Sequence, residues 1–264
     1  TPKHVLLYKA FGWEAPVWCH LPVILDSKNG GKLSKRNGAA SVGEFRELGY
    51  LPETLVNYLA LLGWNPGDDR EVMTLDEMIG AFKLENIHPT AVKFDMKKLQ
   101  WMNMQHIHTT PNETLLAEMK SGLEKLGIPV ENEPAERLNE IVELLKPRAH
   151  FLKDLAEMSV YFFKAPTSYD EKGMRKQWGP GSREIAHAVR EMLAAVEPFK
   201  TAEIEKGFLA LAESRGCKLG DLVGAVRLAV SGVTAGPGLW ELFEVVGKDE
   251  TLRRIDIAEP LMQA

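Results

Sequence analysis

The stretch Val23-Ile24-Leu25-Asp26-Ser27-Lys28-Asn29-Gly30-Gly31-Lys32-Leu33-Ser34-Lys35-Arg36 marks a change of regime along the chain. It joins a branched apolar run, which reads as the end of a strand over Val17 to Leu25, to eleven residues holding four cations, two serines and a Gly-Gly pair. Upstream, residues 3–11 read as a short helix with Val5, Leu6 and Leu7 apolar. Downstream, almost everything follows a helical period. The chain therefore reads as mainly α: a small mixed domain first, then a helical region.

The helices carry their own start signals. Ser41 with Glu44 and Thr74 with Glu77 have capping-box spacing, the first capping a helix expected to carry Val42, Phe45 and Leu48 inward, the second ahead of Met78, Ile79 and Phe82. Gly49 stops the first of these. Pro52 sits in a first turn, after which Leu55, Tyr58, Leu59 and Leu62 form one apolar stripe led by Leu51. Asp95 is placed to cap a helix holding Met96, Leu99 and Met102. From about residue 110, helical segments are expected at 112–126, 135–146, 149–164, 182–195, 201–214, 219–230, 238–246 and 248–256. Residues 165–181, with Lys172, Arg175 and Lys176, read as an irregular divider between two lobes.

Composition narrows the classes. With 264 residues and 45% hydrophobic content the chain can bury sizeable cores. A net charge of −5 argues against non-specific coating of nucleic acid while leaving room for a local basic face. Cys19 and Cys217 lie far apart with no partner at zinc-finger spacing, which fits ordinary thiols in the cytoplasm. No apolar run reaches membrane-spanning length and no export segment opens the chain. Thr1-Pro2-Lys3-His4 opens it without an initiator Met, as in a processed chain or a piece of a longer one.

The basic loop has two readings. It is a solvated turn, or it bends over a polyphosphate, with Lys32 and Lys35 neutralising charge, Arg36 forming a fork, and Ser34 and backbone amides completing the cage. It is not a Walker loop, because the glycine spacing and the following Lys-Ser/Thr are missing. His4, His20 and His88 are scattered, and no metal site is expected; His106 and His108 read as capping or solvent-exposed. Most of the six tryptophans are expected to pack helices, with Trp178 and Trp240 the two placed beside Gly/Pro loops where a base could stack. Asp68-Asp69 reads as a solvated turn. Near the end, Arg227 lies on a helix followed by a small-residue loop, and Pro237 is expected to start the next helix. That arrangement is either a plain helix–helix turn or a surface that reads an unstacked base through amides and one arginine fork.

These motifs together resemble bacterial-type glutamyl-tRNA synthetases, a class I family. The resemblance runs from Thr1-Pro2-Lys3-His4 through His20-Leu21-Pro22, Lys32-Leu33-Ser34-Lys35-Arg36, Gly49-Tyr50-Leu51-Pro52-Glu53 and Asn57-Tyr58-Leu59-Ala60-Leu61-Leu62-Gly63-Trp64, and returns at Gly236-Pro237-Gly238-Leu239-Trp240 and Gly247-Lys248. It is looser over 110–220. The resemblance implies a chain corresponding to the C-terminal portion of such an enzyme. Residues 1–25 would end the class I catalytic domain. Residues 26–108 would form a mixed α/β stem-contact domain with the signature loop, and 109–175 and 176–264 the two lobes of an all-helical anticodon-binding domain. The family's His-Ile-Gly-His-type signature is absent, so these residues alone are expected to be inactive.

The resemblance further implies ATP-dependent ligation of L-glutamate to tRNA(Glu) through glutamyl-adenylate in the intact enzyme, with Mg2+ assisting and the enzyme monomeric. Lys35 would contact the ATP phosphates, with Lys32 and Ser34 shaping the loop; Arg36 stands where some related synthetases carry serine. Arg227, Pro237 and Leu239, with Arg148 from the first lobe, would contact tRNA. No zinc site is implied. The alternatives are a non-catalytic tRNA-binding module, an enzyme that also charges tRNA(Gln), and a helical interaction domain whose basic loop is incidental. A glutaminyl-tRNA synthetase fits less well, since that relative usually carries β-barrel anticodon domains.

Overall fold

The computed structural model describes residues 1–19, 21–27, 30–33, 41–88 and 90–263. The chain divides into two compact units, Thr1–Met102 and Asn103–Ala264, the division falling inside one helix.

In the first unit, α1 (Pro2–Phe11) is followed by β1 (Ile24–Asp26), α2 (Val42–Leu48), α3 (Pro52–Leu61), α4 (Leu75–Ala81) and β2 (Val92–Phe94), and α5 (Met96–Thr109) crosses the division. β1 and β2 pair in parallel, Ile24 opposite Val92 and Asp26 opposite Phe94. Parallel strands need a crossover connection, which α2, α3 and α4 supply. Both capping boxes form: Glu44 N donates to Ser41 Oγ at 3.3 Å and Glu77 N to Thr74 Oγ1 at 3.2 Å, while each glutamate accepts from the cap residue's own amide. Asp95 caps α5, accepting from Lys97 N at 2.8 Å and Lys98 N at 3.2 Å. Tyr58 pins α3 to that cap, its Oη accepting from Asp95 N at 2.6 Å and donating to Asp95 O at 3.0 Å. Its ring meets Phe94 edge-on at 5.0 Å, so helix, strand and cap share one small core.

Several expectations need correction. The strand expected over Val17–Leu25 shrinks to Ile24–Asp26, because β2 offers only three residues to pair with; Val17 is fully exposed. On the short α2 only Phe45 is buried, while Val42 and Leu48, expected inward, are exposed. On and beside α3, Leu51, Leu55, Tyr58 and Leu62 are buried but Leu59 is half-exposed. On the equally short α4 only Met78 is buried, while Ile79 and the following Phe82 face out.

The second unit is helical throughout its regular elements. α6 (Asn112–Lys125), α7 (Ala135–Leu145) and α8 (Leu152–Phe163) pack on one another; α9 (Glu171–Gln177), α10 (Ser182–Ala195), α11 (Thr201–Arg215), α12 (Leu219–Ser231), α13 (Leu239–Val246) and α14 (Lys248–Ala258) follow. The segment 165–181 is not wholly irregular. It contains α9, started by Asp170, whose Oδ2 accepts from Gly173 N at 2.9 Å, so Lys172, Arg175 and Lys176 lie on a helix.

Two arginines tie the end of α8 to later helices. Arg254, its side chain 2% exposed, donates from Nη1 to Tyr161 O at 2.6 Å and Val230 O at 2.9 Å, and from Nε to Glu250 Oε1 at 2.7 Å. Arg137 donates from Nη2 to Phe162 O at 2.8 Å and from Nε to Val245 O at 3.3 Å. These carbonyls lie in the last turns of α8, α12 and α13, where a helix has no partner of its own for them.

Candidate nucleic-acid interface

The stem of the basic loop is a tight return from β1. Gly30 N donates to Asp26 O at 3.0 Å, Asp26 N to Gly31 O at 2.8 Å and Leu33 N to Ile24 O at 2.9 Å. Gly30 takes φ +66°, a left-handed conformation that glycine adopts without a Cβ penalty. Lys32 thereby lies antiparallel to Leu25 at the exposed base of the loop. Ser34, Lys35 and Arg36 lie outside the described residues, as does His20.

The other candidates gather in the second unit. Arg227 lies one turn before the end of α12. The chain then runs through an exposed Val233–Ala235 to Gly236, Pro237 and Gly238. Pro237 does not start α13: Gly238 is its N-cap and Leu239 its first residue. Pro237 and Leu239 are both buried, Leu239 to 3% exposure, so what this loop turns outward is backbone rather than their side chains. A Cβ on Gly236 would sit 3.4 Å from Arg227 Nη1 and 3.3 Å from Tyr161 Oη. Arg148 is exposed on a one-turn 3-10 segment, Lys146–Arg148, and its Nη1 lies 3.4 Å from Leu144 O.

The electrostatics tie these groups together. Burial pulls the Arg227 guanidinium below its ordinary value; Tyr161 and Glu241 oppose that pull and Arg148 adds to it. Burial likewise pushes the Tyr161 phenol up to about 12, against the nearby Arg227 and Arg148 charges. Arg227 keeps its charge, since a guanidinium does not deprotonate in proteins, and Tyr161 keeps its proton. Among the described residues, Arg227 Nη1, Tyr161 Oη and Glu241 Oε2 are buried and find no hydrogen-bond partner. Reasoning from sequence missed Tyr161 and Glu241: the tyrosine sits in an apolar run at the end of α8, and nothing in the run says that its hydroxyl stays unpaired.

Other candidates turn inward or stay ordinary. Trp178 is buried, donating from Nε1 to Ala225 O at 3.1 Å with its ring edge-on to Tyr169, so it offers no face to a base. Trp240 packs against Phe208 at 4.4 Å. His106, expected to be capping or exposed, is buried at 8% exposure inside α5, its carbonyl taking Thr110 Oγ1 at 2.8 Å. Asp68 closes on its neighbour Arg70, Nε to Oδ2 2.9 Å, as a surface turn. Among the described residues no group of three or more His, Cys, Asp or Glu side chains is arranged to hold a metal, and no helix is long and apolar enough to cross a membrane.

Comparison with known proteins agrees with this division. Residues 96–259 match the model of the anticodon binding domain, and residues 1–101 that of the catalytic domain of class I tRNA synthetases (E and Q). The small parallel sheet and its helices are thus a reduced part of a class I catalytic domain, followed by an all-helical anticodon-binding domain. The glutamate–tRNA ligase of Amoebophilus asiaticus is 37% identical over 98% of this chain and 54% of its own length, and that of Bacteroides thetaiotaomicron 38% over 100% and 55%. A crystal structure of a glutamate tRNA ligase from Elizabethkingia meningosepticum, in complex with its amino acid, superposes with a TM-score of 0.86 at 35% identity, covering 99% of this chain and 55% of that one. The chain spans about half the length of the curated relatives it matches.

Proposed function

The chain belongs to the anticodon-binding-domain family, and from that premise we propose that its helical unit reads the anticodon of tRNA(Glu) and that it serves, in a longer protein, ATP-dependent ligation of L-glutamate to that tRNA through glutamyl-adenylate. The observation that carries this reading is a half-buried, unpaired arginine, Arg227, set against a Gly-Pro-Gly loop in a chain of net charge −5. Coating by bulk charge does not account for such a feature; recognition of a splayed base does. In this reading Arg227 forks to a base and the backbone of Gly236, Pro237 and Gly238 lines the approach. Pro237 and Leu239 hold that backbone in place from beneath, and Arg148 supplies charge at the rim. The partition into 1–25, 26–108, 109–175 and 176–264 follows the same reading, with the protein monomeric and cytoplasmic.

The basic loop takes the phosphates of ATP. Lys35 contacts them, Arg36 and Ser34 complete the cage, and Lys32, at the loop's base, orients it and adds charge. Three cations and a hydroxyl suit phosphate oxygens, and the three cations cannot ligate a metal ion. Mg2+ bound with the nucleotide would supply further neutralisation of the phosphate charge. The loop's own task is to aim positive charge where the leaving pyrophosphate develops its own.

The test is a salt-titrated binding assay of this chain with glutamate tRNA and an anticodon-altered control. Affinity should fall as salt rises and fall again when the anticodon is changed. Equal affinity for the two RNAs sinks the anticodon assignment. A glutamine tRNA in the same assay separates an enzyme restricted to one tRNA from one that charges both.

A further inference from the structure

An orphaned hydroxyl inside a helical core calls for a reason, because a buried polar group without a partner destabilises its own fold. Tyr161 is 8% exposed and its Oη has no partner among the described residues. Its backbone is held firmly, since Arg254 grips its carbonyl at 2.6 Å. Its ring lies 4.8 Å from that of Phe162. The hydroxyl is therefore delivered to one place, beside Gly236, where Arg227 Nη1 also arrives without a partner. A third orphan, Glu241 Oε2, folds against Gly238 where a Cβ would stand, and acts on Arg227 electrostatically. Two donors and an acceptor thus surround one short loop. A phosphate, which offers only acceptors, would meet the glutamate unfavourably; the edge of a nucleobase, with donors and acceptors together, matches all three.

We infer that Tyr161 is a specificity-determining residue of this site, its hydroxyl reading, together with the Arg227 guanidinium, the edge of one unstacked anticodon base that enters at Gly236. The inference rests on the anticodon reading proposed above. Both atoms are closed from solvent in the free chain, so the base enters by displacing the loop, for which Gly236 and Gly238 provide the backbone freedom.

The experiment uses the whole chain and RNA hairpins carrying the glutamate anticodon arm, with each anticodon base replaced singly. Tyr161→Phe should weaken binding to the parent hairpin about tenfold, and the loss should vanish against the one hairpin whose replaced base the hydroxyl reads. The same variant should unfold at an equal or higher urea concentration, because deleting an orphaned hydroxyl relieves the free protein; a merely structural tyrosine would move both readouts together. Gly236→Ala, whose methyl would stand 3.3 Å and 3.4 Å from the two donors, should weaken binding to the parent hairpin. No loss in Tyr161→Phe, a loss uniform across the hairpins, a loss accompanied by lower stability, or full binding by Gly236→Ala overturns the inference and leaves anticodon recognition standing. An unmodified chain that binds every hairpin alike overturns both.

Discussion

Arg254→Ala should cost the helical unit about 3–5 kcal/mol of stability, the range for stripping a partner from a buried ionic network. The guanidinium caps two helices at once. Tyr161 O and Val230 O both lie in final turns, and both would be left buried and unpaired at about 1–3 kcal/mol each. Loss of the buried stem adds a cavity, while Glu250, still paired with Arg253 and a third exposed, loses little. One opposing effect limits the total. Burial pulls the Arg254 guanidinium below its ordinary value despite Glu250, so the site carries a desolvation penalty that a neutral residue escapes. Arg254→Met, which keeps the stem and removes the charge, should therefore recover about 1–2 kcal/mol of the loss and no more, since the two carbonyls stay unpaired. Urea unfolding of the whole chain followed by helical circular dichroism reads the difference, provided the slope is unchanged between variants. A cost below about 1 kcal/mol for the alanine variant, or full recovery by methionine, would refute the double-cap account.

Other expectations are as direct. Hydrogen bonds from Arg253 hold the Glu250 carboxyl at about 2, with Arg254 helping against burial, so its stabilisation is complete above the ordinary carboxylate range and lost as pH falls from about 4.5 towards 2. Allowing for a side chain one-third exposed, this amounts to about 1–2 kcal/mol, and Glu250→Gln should flatten the acid limb of a stability–pH curve by that amount. Tyr58→Phe should lower the stability of the first unit by about 1–2 kcal/mol in thermal unfolding, since it leaves Asp95 N and O without their shared partner. Lys35→Ala in the longer protein should cut glutamate activation by two to three orders of magnitude, about 3–4 kcal/mol; unchanged pyrophosphate exchange would contradict the phosphate role.

What sequence made legible follows from how local each signal is. Capping boxes at Ser41 and Thr74 and the aspartate cap at Asp95 are complete within four residues, and all three form. The long helices after residue 110 start and stop within a few residues of where apolar period and Gly/Pro breaks put them. Failures occurred where the deciding partner was distant. The extent of β1 is set by Val92–Phe94, nearly seventy residues on, rather than by its own branched run. The seven-residue α9 carries too few apolar positions to show a period, and it packs on α12. Trp178 sits beside a Gly-Pro loop, as a stacking residue would, yet the Ala225 carbonyl takes its one donor.

The arginines make the same point for function. Arg137, Arg227 and Arg254 all lie on apolar-patterned helices, and in sequence only the small-residue loop that follows Arg227 sets it apart. Their donors rank them. Arg137 reaches two carbonyls and a glutamate, and Arg254 two carbonyls and a glutamate, so each is consumed in holding helix ends together. Arg227 is as firmly placed on its helix but keeps Nη1 buried and unanswered, and the neighbouring tyrosine hydroxyl is in the same condition. A fold does not retain two desolvated, unpaired donors side by side for its own stability, since each lowers it. Their shared position at Gly236 is where a ligand's acceptors would repay that deficit, which makes the unpaired arginine, and not the best-connected one, the residue to associate with recognition.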